Sequence, residues 1–116
     1  MNKEFVPYEL ALKLKQLGFD EPCFGSYIDG KLTSLLDCIL WGDVKGDLPS
    51  PLFQQAFRWF RDKGFLIDVT SLNTDEYEFY IKWSYAYSFL SDTYKTFPEA
   101  ELACLEKLID IIQLND

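Results

Sequence analysis

The chain has 116 residues, of which 48% are hydrophobic and 17% aromatic, so the expectation is a single folded domain over residues 1–116 rather than a disordered or two-domain chain. Nineteen acidic against 11 basic side chains give a formal charge of −8, a field that repels phosphates and argues against nucleic acid as a direct ligand. With no histidine, Ser-His, Cys-His and His-metal chemistries are excluded, and no catalytic residue, cofactor or metal is expected.

The first element is a helix from about Pro7 to Leu17. Proline suits a helix start, Leu10, Ala11, Leu14 and Leu17 repeat on one side, and Gly18 is placed to close the helix in a left-handed conformation. Cys23 to Ile28 then reads as a short strand, with Asp29-Gly30 as a hairpin turn and Lys31 to Leu36 returning beside it. Leu35 to Trp41 permits strand or helix. Gly42 to Ser50 reads as a surface loop.

Ser50-Pro51 has the pattern of a helix cap followed by proline in the first turn, so a second helix is expected up to Lys63, with Gly64 ending it. Its apolar residues, Leu52, Phe53, Ala56, Phe57, Trp59 and Phe60, cover more than one narrow stripe. Phe65 to Thr70 alternates as a strand, and Asn73-Thr74-Asp75-Glu76 forms a polar turn. From Tyr77 to Phe89 every odd position is large and apolar, the signature of a strand with one aromatic face. Thirteen residues of strand would span about 43 Å, more than the roughly 35 Å across a compact domain of this length, so the tract must bend, bulge or end near Ser84. Thr96-Phe97-Pro98-Glu99 is a capping box that opens the last helix. In it Ala100, Cys104, Leu108 and Ile111 form a seam, with Leu105, Ile109 and Ile112 beside them and Glu101, Glu106, Lys107, Asp110 and Gln113 on the wet side.

The order α-ββ-α-ββ-α predicts an α+β fold, an antiparallel sheet of about four strands with helices over one face. Cys23, Cys38 and Cys104 are too far apart in sequence for a paired metal or redox motif and read as buried small hydrophobes in a reducing cytoplasm. No apolar run reaches the about 18 residues of a membrane span, so a cytoplasmic chain without a membrane is expected. The Asp29-Gly30 and Asp43 to Asp47 segments lack the ligand repeat of a calcium loop.

Function then rests on the aromatics. Phe79, Ile81 and Trp83 read as core wall, whereas Tyr80 lies on the polar side and Tyr85, Tyr87 and Phe89 fall beyond the length the core can use. Trp59, Tyr80, Trp83, Tyr85 and Tyr87 are the candidate partner-binding residues, for a protein partner or for self-association. Two other functions fit the composition: a small-molecule-binding domain or minor enzyme with a pocket between sheet and helices, and an acidic mimic of nucleic acid.

Three stretches, YELALKLKQLGFDEPCF from Tyr8, QQAFRWFRDK from Gln54 and YKTFPEAELACLEKLI from Tyr94, resemble a group of small uncharacterised proteins associated with bacterial phages and prophages. The resemblance implies an accessory module of a mobile element and assigns no catalytic or ligand-binding residue. Tyr85 to Ser91 lies outside it.

Overall fold

The computed structural model describes residues 5–21, 23, 25–28, 31–34 and 48–115. Within them the fold is α+β. The chain separates into two compact units, Met1–Gln55 and Ala56–Asp116.

In the first unit, helix α1 spans Tyr8–Gln16. Pro7 holds the cap position in an extended conformation, and its carbonyl accepts the first helical bond from Ala11 at 2.9 Å. Leu10, Ala11 and Leu14 are the buried stripe that their spacing predicts. At the other end Gly18 takes φ +103°, a conformation open to glycine because it has no Cβ, and the Phe19 N–H turns back onto the Leu14 carbonyl.

Strands β1 (Gly25–Ile28), β2 (Lys31–Ser34) and β3 (Leu48–Ser50) form an antiparallel sheet in the order β2-β1-β3. The β1–β2 pairing agrees with the predicted hairpin, with Gly25 opposite Ser34 and Ile28 opposite Lys31. Its Asp29-Gly30 turn lies outside the described residues, as do the Leu35 to Trp41 segment, Cys38 and the stretch from Asp43 to Asp47.

β3 corrects the sequence reading. Leu48, Pro49 and Ser50 belong to a strand paired with β1, not to a loop, and Ser50 does not cap a helix. The reason is local: Leu48 and Ser50 each precede a proline, which disfavours the helical region and pushes the residue toward extended backbone. Pro49 is accommodated because β3 is an edge strand, where a missing N–H costs no ladder bond.

The Ser50 hydroxyl instead donates to the Val6 carbonyl at 2.9 Å, and the Tyr27 hydroxyl donates to the same oxygen at 3.0 Å. The Val6 N–H donates to Pro51 O, so both polar groups of this buried residue are satisfied.

Helix α2 (Phe53–Asp62) begins in the first unit and continues into the second. It starts two residues later than the Ser-Pro pattern predicts. Gly64 ends the α2 segment at φ +103°, as its position in the sequence predicts.

The second unit carries the longer elements. Strands β4 (Leu66–Asn73), β5 (Glu76–Lys82) and β6 (Ser88–Leu90) form an antiparallel sheet in the order β4-β5-β6, and helix α3 (Phe97–Asn115) packs on β4 and β5. The described strands thus fall into two three-stranded sheets rather than one sheet of about four.

In the β4–β5 register Ile67 faces Ile81 and Val69 faces Phe79. Ile67, Phe79 and Ile81 are buried together with Phe57, Phe60, Ala100, Cys104, Leu105 and Leu108, which is the core of this unit. In the β4–β5 turn, Asn73 accepts from the Asp75 N–H at 2.8 Å and donates to the Glu76 carboxylate at 3.0 Å.

α3 opens on the capping bond that its sequence predicts, from the Glu99 N–H to Thr96 Oγ1 at 3.3 Å. One residue departs from the pattern: Glu101 is buried, whereas the periodicity had placed it on the wet side.

Candidate functional site

Of the three outcomes the length allows, the strand ends: β5 stops just short of Ser84 and the chain reverses. β5 ends at Lys82, Ser84, Tyr85 and Ala86 make the loop, and the chain returns as β6 with Lys82 opposite Ser88, Ile81 opposite Phe89 and Tyr80 opposite Leu90. The Trp83 N–H donates to Tyr87 O and the Tyr87 N–H donates to Ser84 O, each at 3.3 Å, which closes the loop. The length limit on the strand is therefore met by a hairpin. A tight turn keeps the backbone hydrogen-bonded where a bend would have left it open.

Reversal changes the role of Phe89. Counted along the sequence it lay outside the core, but in the hairpin it comes back beside Ile81, tilts against Phe79 at 5.7 Å and lies under the Lys107 ammonium at 4.3 Å. Its base is also braced from below. The Ser91 N–H donates to Phe79 O at 3.0 Å, and the Phe79 N–H donates to the Ser91 hydroxyl at 2.9 Å. That hydroxyl in turn donates to Asp92 O at 2.7 Å. Below this, Tyr77 and Tyr94 exchange two backbone bonds of 2.8 and 2.7 Å. The hairpin is fastened at both ends of its stem.

Four of the five candidate residues lie on this hairpin. Trp83 is half-buried and stacks on Tyr87 with centroids 6.1 Å apart and planes at 12°. Tyr87 keeps 63% of its surface exposed, and Tyr85 at the tip is fully exposed at 101%. Tyr80 is half-buried on the other face of the sheet, because adjacent residues of a strand point to opposite sides. That outer face also carries Leu66, Asp68, Glu78, Lys82 and Leu90, a mixture of signs and apolar groups rather than a row of carboxylates.

The fifth candidate, Trp59, sits on α2, edge-on to Phe60 at 5.0 Å and beneath the Lys63 ammonium at 4.3 Å. The stretch from Trp83 to Ser91 has no charged side chain, and it projects from a chain of net charge −8.

Two cysteine thiols fall among the described residues, Cys23 and Cys104. Burial pushes Cys104 up to about 12, with the nearby Arg61 guanidinium pulling the other way and Glu101 adding to the rise. Cys23 is pushed up to about 11, by burial first and by Glu21 second. Both are protonated at neutral pH, which leaves little thiolate for nucleophilic chemistry. Among the described residues no group of three or more acidic or cysteine side chains is placed to hold a metal ion. Among the same residues no helix is long and apolar enough to cross a membrane.

No family model, curated protein or solved structure matches the chain.

Proposed function

We propose that this chain is a non-enzymatic protein-interaction module whose docking element is the tip of the β5–β6 hairpin. The observation that carries the reading is Tyr85, fully exposed at the end of a hairpin whose stem is braced by Trp83 on Tyr87, Phe89 on Phe79 and the Ser91 hydroxyl. A ring held out on an ordered support loses little conformational entropy on binding, and tyrosine supplies apolar area together with a hydroxyl that tolerates water. The partner is a protein with an apolar slot. An electropositive rim around that slot would complement the charge of −8 and speed encounter. The resemblance of the Tyr8, Gln54 and Tyr94 stretches to phage-associated proteins supports a role as a cytoplasmic accessory of a mobile element.

The test is comparative recovery of partners from the native cell with wild-type chain and with Tyr85→Ala/Tyr87→Ala. Loss of about 2 kcal/mol of binding, the usual scale of a hot-spot ring, is expected to reduce recovery of a specific partner roughly thirtyfold. A partner retained at wild-type level by the folded double variant would refute the hairpin as the docking element.

A further inference from the structure

The second unit also presents a sheet edge, the side of β4 that no described strand pairs with. β4 is the edge of the sheet, and the hydrogen bonding fixes which of its groups point outward. On β5 the odd residues bond toward β6 and the segment after it, as the Tyr77–Tyr94, Phe79–Ser91 and Trp83–Tyr87 bonds show. The even residues of β5 therefore bond to β4, and in their register they meet Leu66, Asp68 and Thr70. Neighbouring residues of a strand direct their N–H and C=O groups to opposite sides, so those of Ile67, Val69 and Ser71 project from the edge.

One of these groups is already occupied. Arg61 Nη2, from the last turn of α2, donates to the Ile67 carbonyl at 2.9 Å. At the far end, the β4–β5 register shifts between Ser71 and Asn73, which limits the regular strand to about the Ser71 position. Between these two ends lies a short ladder whose outward groups pair with no described strand, flanked by Leu66 and Leu72, both exposed.

We propose that the β4 edge is a pairing surface for β4 of a second copy of this chain, and that Arg61 holds it closed. An antiparallel pair centred on Val69 sets Ile67 against Ser71 of the second copy, Asp68 against Thr70, and Leu66 at the margin against Leu72. It uses the whole regular stretch and covers both exposed leucines. A pair centred on Asp68 would set two carboxylates face to face, so charge selects the Val69 register. In that register the Ile67 carbonyl must accept from the Ser71 N–H of the second copy, the same oxygen Arg61 now holds. Arg61 and the second copy compete for one acceptor. This surface is separate from the hairpin tip, and Tyr85→Ala/Tyr87→Ala leaves it intact.

The experiment is light scattering over a concentration series together with amide hydrogen exchange. In the wild type, the Asp68 and Thr70 amides are protected and those of Val69 and Ser71 exchange quickly. Arg61→Ala strengthens self-association at least tenfold and slows exchange at Val69 and Ser71. Adding Thr70→Asp, which opposes Asp68 of the second copy, returns the chain to the wild-type mass. A folded Arg61→Ala with the wild-type mass at every concentration overturns the proposal, as does a dimer whose Val69 and Ser71 amides still exchange freely. Should Arg61→Ala fail to fold, the wild-type exchange pattern decides, and protection of Val69 and Ser71 in the monomer overturns it.

Discussion

A single carbonyl, that of Val6, draws two hydroxyls from residues 21 and 44 positions away in sequence. Ser50→Ala removes one donor while Tyr27 keeps the oxygen satisfied, so the expected loss is about 1 kcal/mol in urea unfolding. Tyr27→Phe/Ser50→Ala strands the oxygen and should cost more than the two single changes added together. Equal additivity would show that the hydroxyls act independently. Gly25 is similarly specific. A Cβ built there would lie 2.7 Å from Phe5 Cε1 and 3.2 Å from Leu32 Cδ1, so Gly25→Ala must displace an aromatic ring at a cost of about 1–3 kcal/mol. A melting temperature equal to wild type would show that Phe5 moves aside freely. None of this was legible in the sequence, where Ser50 had the pattern of a helix cap; the two prolines on either side of it carried the signal for a strand.

Among the elements, α3 and the β4–β5 hairpin were the most legible, because each is set by local pattern: a capping box and a seam in one, period-two alternation around a polar turn in the other. The third strand of each sheet was not. β3 is three residues long and β6 likewise, too short for alternation to stand out, and β6 was hidden inside an alternation that continued through a turn. The candidate site was legible in part for the same reason. Chain length placed Tyr85 and Tyr87 outside the core, but only the reversal brought Phe89, half-buried, back against Phe79. The hairpin also separates stability from recognition. Trp83→Ala removes a half-buried stacked ring and should destabilise by about 1–2 kcal/mol, whereas Tyr85→Ala should change stability by less than about 0.5 kcal/mol. Denaturant titration of both distinguishes them, and a large loss at Tyr85 would mean that its ring is packed.

For the whole molecule, the acidic balance was legible at once and the response to alkali follows from burial. Cys104 and Cys23 are pushed from 9.0 to about 12 and about 11, and the Tyr27 phenol is also raised, by burial despite the Ser50 hydrogen bond. A group whose folded value is raised favours the folded state while it is protonated. This contribution is therefore complete below about pH 9 and is lost as pH climbs from 9 toward 12. Urea unfolding should show stability declining across that window, with alkylation of Cys104 at pH 8 occurring only after unfolding. A stability that rises between pH 9 and 11 would contradict the assignment.

The stack of Trp83 on Tyr87 also gives the hairpin an optical readout. The chain has three tryptophans, so replacing Trp41 and Trp59 with phenylalanine leaves one indole, the Trp83 ring stacked 6.1 Å from Tyr87. A protein closing over Tyr85 would change both the polarity around that indole and the coupling between the two rings. Emission wavelength and near-ultraviolet dichroism would then report occupancy without a label, so the residue that stiffens the tip also signals when the tip is covered.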